Sequence, residues 1–186
     1  MKKTLMIVGH PYWKDSVANR AIIDEFKLVN PDAEISNITE LYPDCNIDVE
    51  AEQKKLLAAD TIVLQFPIMW YSCPSVMHRW MEEVLEYGFA YGHGGDKLKG
   101  KRLIASFTAG GTADMYSRYG AQKMTIDELM PSFAGIPNHC QMEWGGYVFS
   151  GGMIVAGNTD EEQLATFRRR AKAHAERLNR LISKDN

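Results

Sequence analysis

Short apolar runs alternate along this chain with longer stretches whose apolar residues recur at helical spacing, and that alternation constrains the fold more than any other feature. Residues 3–8 (KTLMIV) and 61–66 (TIVLQF) are apolar almost throughout, and each is stopped at once, by Gly9 and by Pro67. Residues 102–108 (RLIASFT) stop in the same way before Gly110 and Gly111. A partly polar run at 33–38 suits a strand near a sheet edge, and 142–151 (MEWGGYVFSG) suits a fifth strand with internal glycines. Strands with no polar face need cover on both sides. The pattern therefore predicts an α/β fold, an open parallel sheet with helices on both faces.

The intervening stretches carry helix signals. Val17, Ala21, Ile22, Phe26 and Val29 keep helical spacing behind Ser16, a favoured N-cap type, and 30–32 (NPD) ends the run. Residues 50–59 read as a second helix. Pro74 suits the first turn of a third, with Val76, Met77, Trp80, Met81, Val84 and Leu85 on its buried face. Residues 122–134 read as one helix, and a capping box of Thr159 and Glu162 opens a long last one lined by Leu164, Phe167, Ala171, Leu178 and Ile182. No linker or repeat divides the 186 residues, so 1–186 is expected to form a single domain.

Composition removes several function classes. The net charge is -3 with no Lys/Arg block, so nucleic acid is not an expected partner. No apolar run approaches the roughly 18 residues that span a bilayer, and the run in MKKTLMIVGH is too short for a signal peptide. Cys45, Cys73 and Cys140 are odd in number and form no CxxC, which predicts a reducing cytoplasm rather than a disulfide framework. The histidines show no metal-ligand spacing, and no metal is expected.

Ligands of parallel sheets sit outside the carboxyl ends of the strands. Three strands here end in unusual loops. The first, GHPYWKDS, leads into a helix N-terminus that favours an anion, with Ser16 offering a hydroxyl and His10 a hydrogen bond or, when protonated, a charge. It is neither GxxxxGK[ST] nor GxGxxG. The same residues also suit an ordinary strand end and helix cap. The second loop, PIMWYS, supplies a flat aromatic wall at Trp70 and Tyr71, which would equally plug a core. The third, from Thr108 to Gly111, permits close backbone approach and positive φ. A phosphate loop, a planar-ring loop and a glycine loop on one rim together fit flavin mononucleotide.

The stretches GHPYWKDSVANRAI, FPIMWYSCPSVMHRWMEEVLEYGFAYGHGG and TAGG resemble the flavodoxin-like NAD(P)H:quinone oxidoreductase family. ELYPDCNIDVEAEQ (40–53) resembles its small bacterial members, which include the ancillary oxidoreductase of glutathione-gated potassium-efflux systems. The resemblance implies a five-stranded flavodoxin-like sheet in the order 2-1-3-4-5, bound flavin and a homodimer with shared active sites. It matches His10, Ser16, Val17, Ala18 and Asn19 to the phosphate loop. Pro67, Ile68, Met69, Trp70 and Tyr71 match the loop along the isoalloxazine ring. Thr108, Ala109, Gly110 and Gly111 match the loop at its pyrimidine edge, and Tyr116 matches a tyrosine that faces the flavin. A histidine implicated in proton transfer in larger relatives has no match, because Gly120, Ala121 and Gln122 stand there. FAD-binding members carry a longer C-terminal part, so FMN is expected; FAD stays open, since the shared loops bind what the two have in common.

The activity implied is two-step hydride transfer from NADPH or NADH through the flavin to a quinone, with ping-pong kinetics and Tyr116 as the catalytic candidate. Phe89 and Tyr91 are expected near a shared site of the homodimer. Two alternatives stand beside this reading. One is an ancillary subunit that regulates a potassium-efflux transporter, placing a cytoplasmic protein at the inner face of the membrane. The other is a flavodoxin-type electron carrier, although -3 is weakly acidic for that role.

Overall fold

The computed structural model describes residues 2–154 and 160–184. Five parallel strands, β1 (Thr4–Val8), β2 (Glu34–Asn37), β3 (Thr61–Pro67), β4 (Arg102–Thr108) and β5 (Glu143–Ser150), lie in the order β2-β1-β3-β4-β5. This is the flavodoxin-like order implied by the sequence resemblance. β1, β3 and β4 are the near-continuous apolar runs and lie buried in the middle; the partly polar β2 is an edge strand.

Successive side chains on each strand point to opposite faces and build two cores. One face carries Leu5, Ile7, Leu64, Phe66 and Phe107, packed with Met77 and Trp80 of α4 (Ser75–Val84), Leu56 of α3 (Val49–Ala58) and Phe133 of α6 (Pro131–His139). The other face carries Met6, Val8, Val63, Ile104 and Val148. Phe26 of α1 (Ala18–Val29) and Leu178 and Ile182 of α7 (Glu161–Ser183) cover it. Each such fully buried side chain contributes about 2 kcal/mol of transfer free energy.

One polar group is built into the first core. Glu52 of α3 is fully buried and accepts hydrogen bonds from Trp80 Nε1 at 2.9 Å, Tyr42 Oη at 3.0 Å and Ser36 Oγ at 3.2 Å, with Lys55 as its ionic partner. The carboxylate ties β2, α3, α4 and the turn after the short α2 (Ile38–Leu41) together.

The structure departs from the sequence reading at four places. α1 begins at Ala18 with Val17 as N-cap, and Ser16 makes no capping bond. The helix expected over 122–134 is two helices, α5 (Ile126–Leu129) and α6, because Pro131 cannot continue a helix but suits the first position of a new one. Thr159 lies outside the described residues; the capping box that opens α7 is formed by Asp160 and Gln163. β5 carries a bulge: Leu103 pairs with Trp144 and Ala105 with Tyr147, leaving one extra residue on β5. The two glycines sit there because a Cβ on Gly145 would lie 2.6 Å from Ile104 Cγ1, and Gly146 has φ +88°.

Candidate functional site

Because β1, β3 and β4 are neighbours and parallel, the loops that follow them meet at one rim. A cleft of about 440 Å³ lies there, lined by His10, Ser16, Val17, Ala18, Asn19, Pro67, Ile68, Met69, Thr108, Ala109 and Gly110. Three residues matched to the flavin loops, Trp70, Tyr71 and Gly111, lie outside the lining, and so does Tyr116. Tyr12, Asp15, Met153 and Ile154 line the cleft although the sequence reading did not single them out. Met153 and Ile154 follow β5, so the rule that pointed to the other three rim loops would have found them.

The first loop is held from both sides. Gly9 N–H donates to Gln65 O at 3.0 Å, and a Cβ on Gly9 would meet Met77 Cε at 3.0 Å and Met77 Cβ at 3.1 Å, so a larger residue would push α4 back. The Thr39 hydroxyl accepts from His10 N–H and donates to His10 O, both at 3.0 Å. Tyr12 N–H donates to His10 Nδ1 at 3.1 Å, which leaves the neutral ring its proton on Nε2. Burial, and then the Arg20 guanidinium, lower the His10 pKa. His10 therefore brings a neutral donor to the rim rather than the charge that a protonated ring would carry.

Ser16 is 5% exposed, and its hydroxyl has no hydrogen-bond partner among the described residues. It lines the cleft immediately before α1, whose first amides have no carbonyl partner within the helix. A buried hydroxyl without a partner is costly unless a ligand supplies one. An anionic oxygen at this helix N-terminus would satisfy the hydroxyl and the amides together.

The second loop presents its aromatic residues outward. Ile68 N–H donates to Thr108 O at 2.7 Å and anchors the loop on β4. Met69 and Ser72 then close a two-residue turn with Trp70 (φ 49°) and Tyr71 (φ 66°) at its tip. Trp70 is 91% exposed, so it plugs no core. Tyr71 donates its hydroxyl to Gln122 Oε1 at 3.0 Å, bracing the turn against the segment before α5.

In the third loop neither Gly110 nor Gly111 has positive φ, so the freedom expected of this pair is not used for a left-handed turn. Gly111 lies against Met115 Sδ and the Tyr116 ring, both 3.4 Å from where a Cβ would stand, which is ordinary contact. Tyr116 rests edge-on against Phe149 at 5.4 Å, and burial raises its pKa, with Tyr71 adding to the effect. Phe89 and Tyr91 are half-buried against their own chain, Tyr91 stacking near His139 at 4.5 Å, and neither lines the cleft. A second cleft of about 420 Å³ opens at the amino ends of β1 and β2. Its lining, rich in lysine and carboxylate groups (Lys2, Lys3, Asp32, Glu34, Lys55), lacks a flat aromatic wall. No helix among the described residues is long and apolar enough to cross a membrane.

Comparison with known proteins agrees with this geometry. A family model described as "flavodoxin-like fold" matches residues 2–175. The glutathione-regulated potassium-efflux system ancillary protein KefF of Enterobacter sp. (strain 638) is 45% identical over 107 residues, which span 58% of this chain and 60% of that protein, less than two thirds of its length. The uncharacterized NAD(P)H oxidoreductase YrkL of Bacillus subtilis (strain 168) is 39% identical over 142 residues, 76% of this chain and 81% of that one. The crystal structure of general stress protein 14 from Treponema denticola, a complex with FMN, superposes with a TM-score of 0.86 at 30% identity, covering 96% of this chain and 99% of the other.

Proposed function

The chain belongs to the flavodoxin-like fold family, and on that premise we propose that it is a cytoplasmic, FMN-dependent NAD(P)H oxidoreductase whose acceptor is a quinone or a similar small planar molecule. The observation that carries the reading is the Ser16 hydroxyl, buried without a partner at the mouth of α1 in a cleft between three strand-end loops. The likeness to an NAD(P)H oxidoreductase and to a protein crystallised with FMN supports it.

When bound, the flavin supplies the redox chemistry: hydride taken from NAD(P)H is passed on with a proton, so that NAD(P)H, a proton and a quinone become NAD(P)+ and a hydroquinone. The chain's own part is to bind, orient and polarise. Ser16, Val17 and the first amides of α1, beginning at Ala18, would hold the phosphate, and His10 offers its Nε2 proton. Asn19 and Thr108 face the cleft as fixed polar groups. Pro67, Ile68 and Met69 give one apolar wall, and Ala109 and Gly110 let the backbone approach the ring closely. Trp70 and Tyr71 stand at its margin, where a planar donor or acceptor would stack. Tyr116 offers a hydroxyl, its high pKa keeping it a donor, to charge developing on the substrate. One cleft used first by the donor and then by the acceptor implies ping-pong kinetics.

A single copy leaves Trp70, Tyr119 and Tyr87 largely exposed, at 91%, 96% and 65%. Aromatic residues left in water in this way suit a homodimer interface, with Phe89 and Tyr91 behind it. The likeness to KefF favours a second role as the ancillary subunit of a potassium-efflux system, and this role is compatible with catalysis.

The test is an anaerobic visible spectrum of purified protein reconstituted with FMN, recorded before and after NADPH. Bleaching of the flavin band to the two-electron reduced form is expected. Protein that takes up neither FMN nor FAD would return His10 and Ser16 to purely structural roles and end the proposal.

A further inference from the structure

The sheet face beneath α1 and α7 carries Met6, Val8, Val63, Ile104 and Val148, and toward the carboxyl ends of β3, β4 and β5 it turns polar. Gln65, Ser106, Ser150 and His174 are all buried there, and none of them lines the cleft. His174 projects from the middle of α7 and is 0% exposed. Its Nε2 lies 2.7 Å from Ser106 Oγ and its Nδ1 lies 2.8 Å from Ser150 Oγ.

The contacts continue in both directions. Arg177, one turn further along α7, donates from Nη2 to Ser150 Oγ at 2.9 Å. Ser106 Oγ donates to Gln65 Oε1 at 2.6 Å, across the register pair that joins β3 to β4. Gln65 Nε2 donates to Asn19 Oδ1 at 2.7 Å, and Asn19 Nδ2 reaches Thr108 Oγ1 at 3.4 Å. Asn19 and Thr108 line the cleft. A chain of side chains thus runs from the guanidinium of Arg177, an exposed residue, through the sheet, to the rim.

The chain has one consistent direction. A guanidinium only donates, so Ser150 accepts from Arg177. If Nδ1 of His174 also donated to Ser150, the serine oxygen would receive two donors and its own proton would have no acceptor in the chain. With Ser150 donating to Nδ1, the imidazole carries its proton on Nε2 and donates to Ser106, which donates to Gln65, and so on to Thr108. The Thr108 hydroxyl, having accepted from Asn19, is left with its proton to offer to the cleft.

We propose that His174 is a positioning residue for the flavin site: as a neutral Nε2–H tautomer it completes a one-way hydrogen-bond chain that fixes Asn19 and Thr108 as donors and transmits the charge of Arg177 to the rim. The proposal rests on the flavin-site reading above. Bonds in such a chain polarise one another, by roughly 10–30% each. Donors strengthened in this way would favour the electron-rich reduced flavin over the oxidised one and hold either more firmly. A chain that merely filled a core would affect folding alone.

The test uses nitrogen-15 labelled full-length protein without flavin, and then FMN titrations of Ser106→Ala and Ser106→Thr. Ser106 touches the chain but not the cleft. The nitrogen spectrum should show His174 protonated on Nε2. S106A should weaken FMN binding about tenfold, the worth of one buried hydrogen bond to an oriented polar group, and should shift the midpoint potential of the bound flavin to more negative values. S106T, which keeps the hydroxyl, should restore both. Should S106A fail to fold, Arg177→Gln at the exposed end gives the same readouts, with the potential again moving negative. An Nδ1–H tautomer, or a folded variant with the FMN affinity and potential of the wild type, overturns the proposal. The two readings fail separably. A wild-type protein that takes up no FMN ends the flavin site, whereas an FMN-binding wild type with an indifferent S106A ends only the role of His174.

Discussion

Met69 and Ser72 exchange both of their backbone hydrogen bonds, at 2.9 and 3.1 Å, and close a turn whose two central residues both have positive φ. This is the requirement of a type I′ turn, normally met by Asn-Gly, and here Trp70 and Tyr71 meet it instead. A side chain in the left-handed region costs about 1–2 kcal/mol. Strain of this kind clusters at functional sites, which makes the turn a place to test.

The first prediction follows from that geometry. Tyr71→Gly and Tyr71→Ala both lose the ring and its bond to Gln122, and differ only in the backbone they tolerate. The glycine variant should be the more stable by about 1 kcal/mol, read as a higher urea midpoint. Both should raise KM for a quinone relative to the wild type. Equal midpoints would mean that the turn carries no strain.

How much of this was legible in the sequence depends on how local the signal is. The central strands β1, β3 and β4 were plain because a strand buried on both faces must be apolar at nearly every position, and the loops after them were marked by Gly9, Pro67 and Gly110. The split at Pro131 was hidden because apolar residues on both sides of it keep helical spacing. The positive φ expected of the Gly110-Gly111 pair belongs instead to Trp70 and Tyr71, residue types that give no warning of it. The chain through His174 could not be read at all. Its bonded members stand 24 to 89 residues apart, and Gln65, Ser106, Ser150 and His174 carry no motif until the sheet order brings them together.

Glu52 should separate stability from the site. Its carboxylate is buried among Trp80, Tyr42, Ser36 and Lys55, none of which lines the rim cleft. Glu52→Gln places an amide donor among groups that already donate and leaves Lys55 without its ionic partner. The loss should be about 3 kcal/mol in urea unfolding, with FMN affinity unchanged in the folded fraction.

His174 makes stability depend on pH in a defined window. Burial, and then the Arg177 charge, lower its pKa to about 3, while Ser106 and Ser150 are its neutral neighbours. The unfolded chain, with a pKa near 6.5, binds the proton first as pH falls, so protonation favours unfolding. The contribution of this residue is complete above pH 6.5 and declines toward pH 3. By pH 4 it should have lost about 3 kcal/mol. His174→Gln keeps a donor and an acceptor but does not titrate. Its urea midpoint should fall less steeply than that of the wild type between pH 6.5 and 4, and parallel curves would contradict the assignment.

Tyr116→Phe keeps the ring on Phe149 and removes only the hydroxyl. Flavin content should stay the same, because the residue lies outside the cleft lining. Turnover at saturating quinone should drop about tenfold or more, in proportion to the loss of one donor aimed at developing charge. A turnover equal to that of the wild type would remove Tyr116 from the mechanism and leave it a packing residue.

Ser16→Ala should move stability and binding in opposite directions. The hydroxyl is buried and unpartnered in the flavin-free protein, so deleting it removes a desolvated polar group and should leave the protein as stable or more stable, by up to about 1 kcal/mol. The same change deletes a donor to the phosphate and should weaken FMN binding about tenfold. A structural serine would behave in the opposite way: its loss would destabilise the protein, and FMN affinity would not respond. Thermal unfolding of the flavin-free protein beside fluorescence titration with FMN distinguishes the two. Riboflavin, which lacks the phosphate, should bind wild type and Ser16→Ala alike.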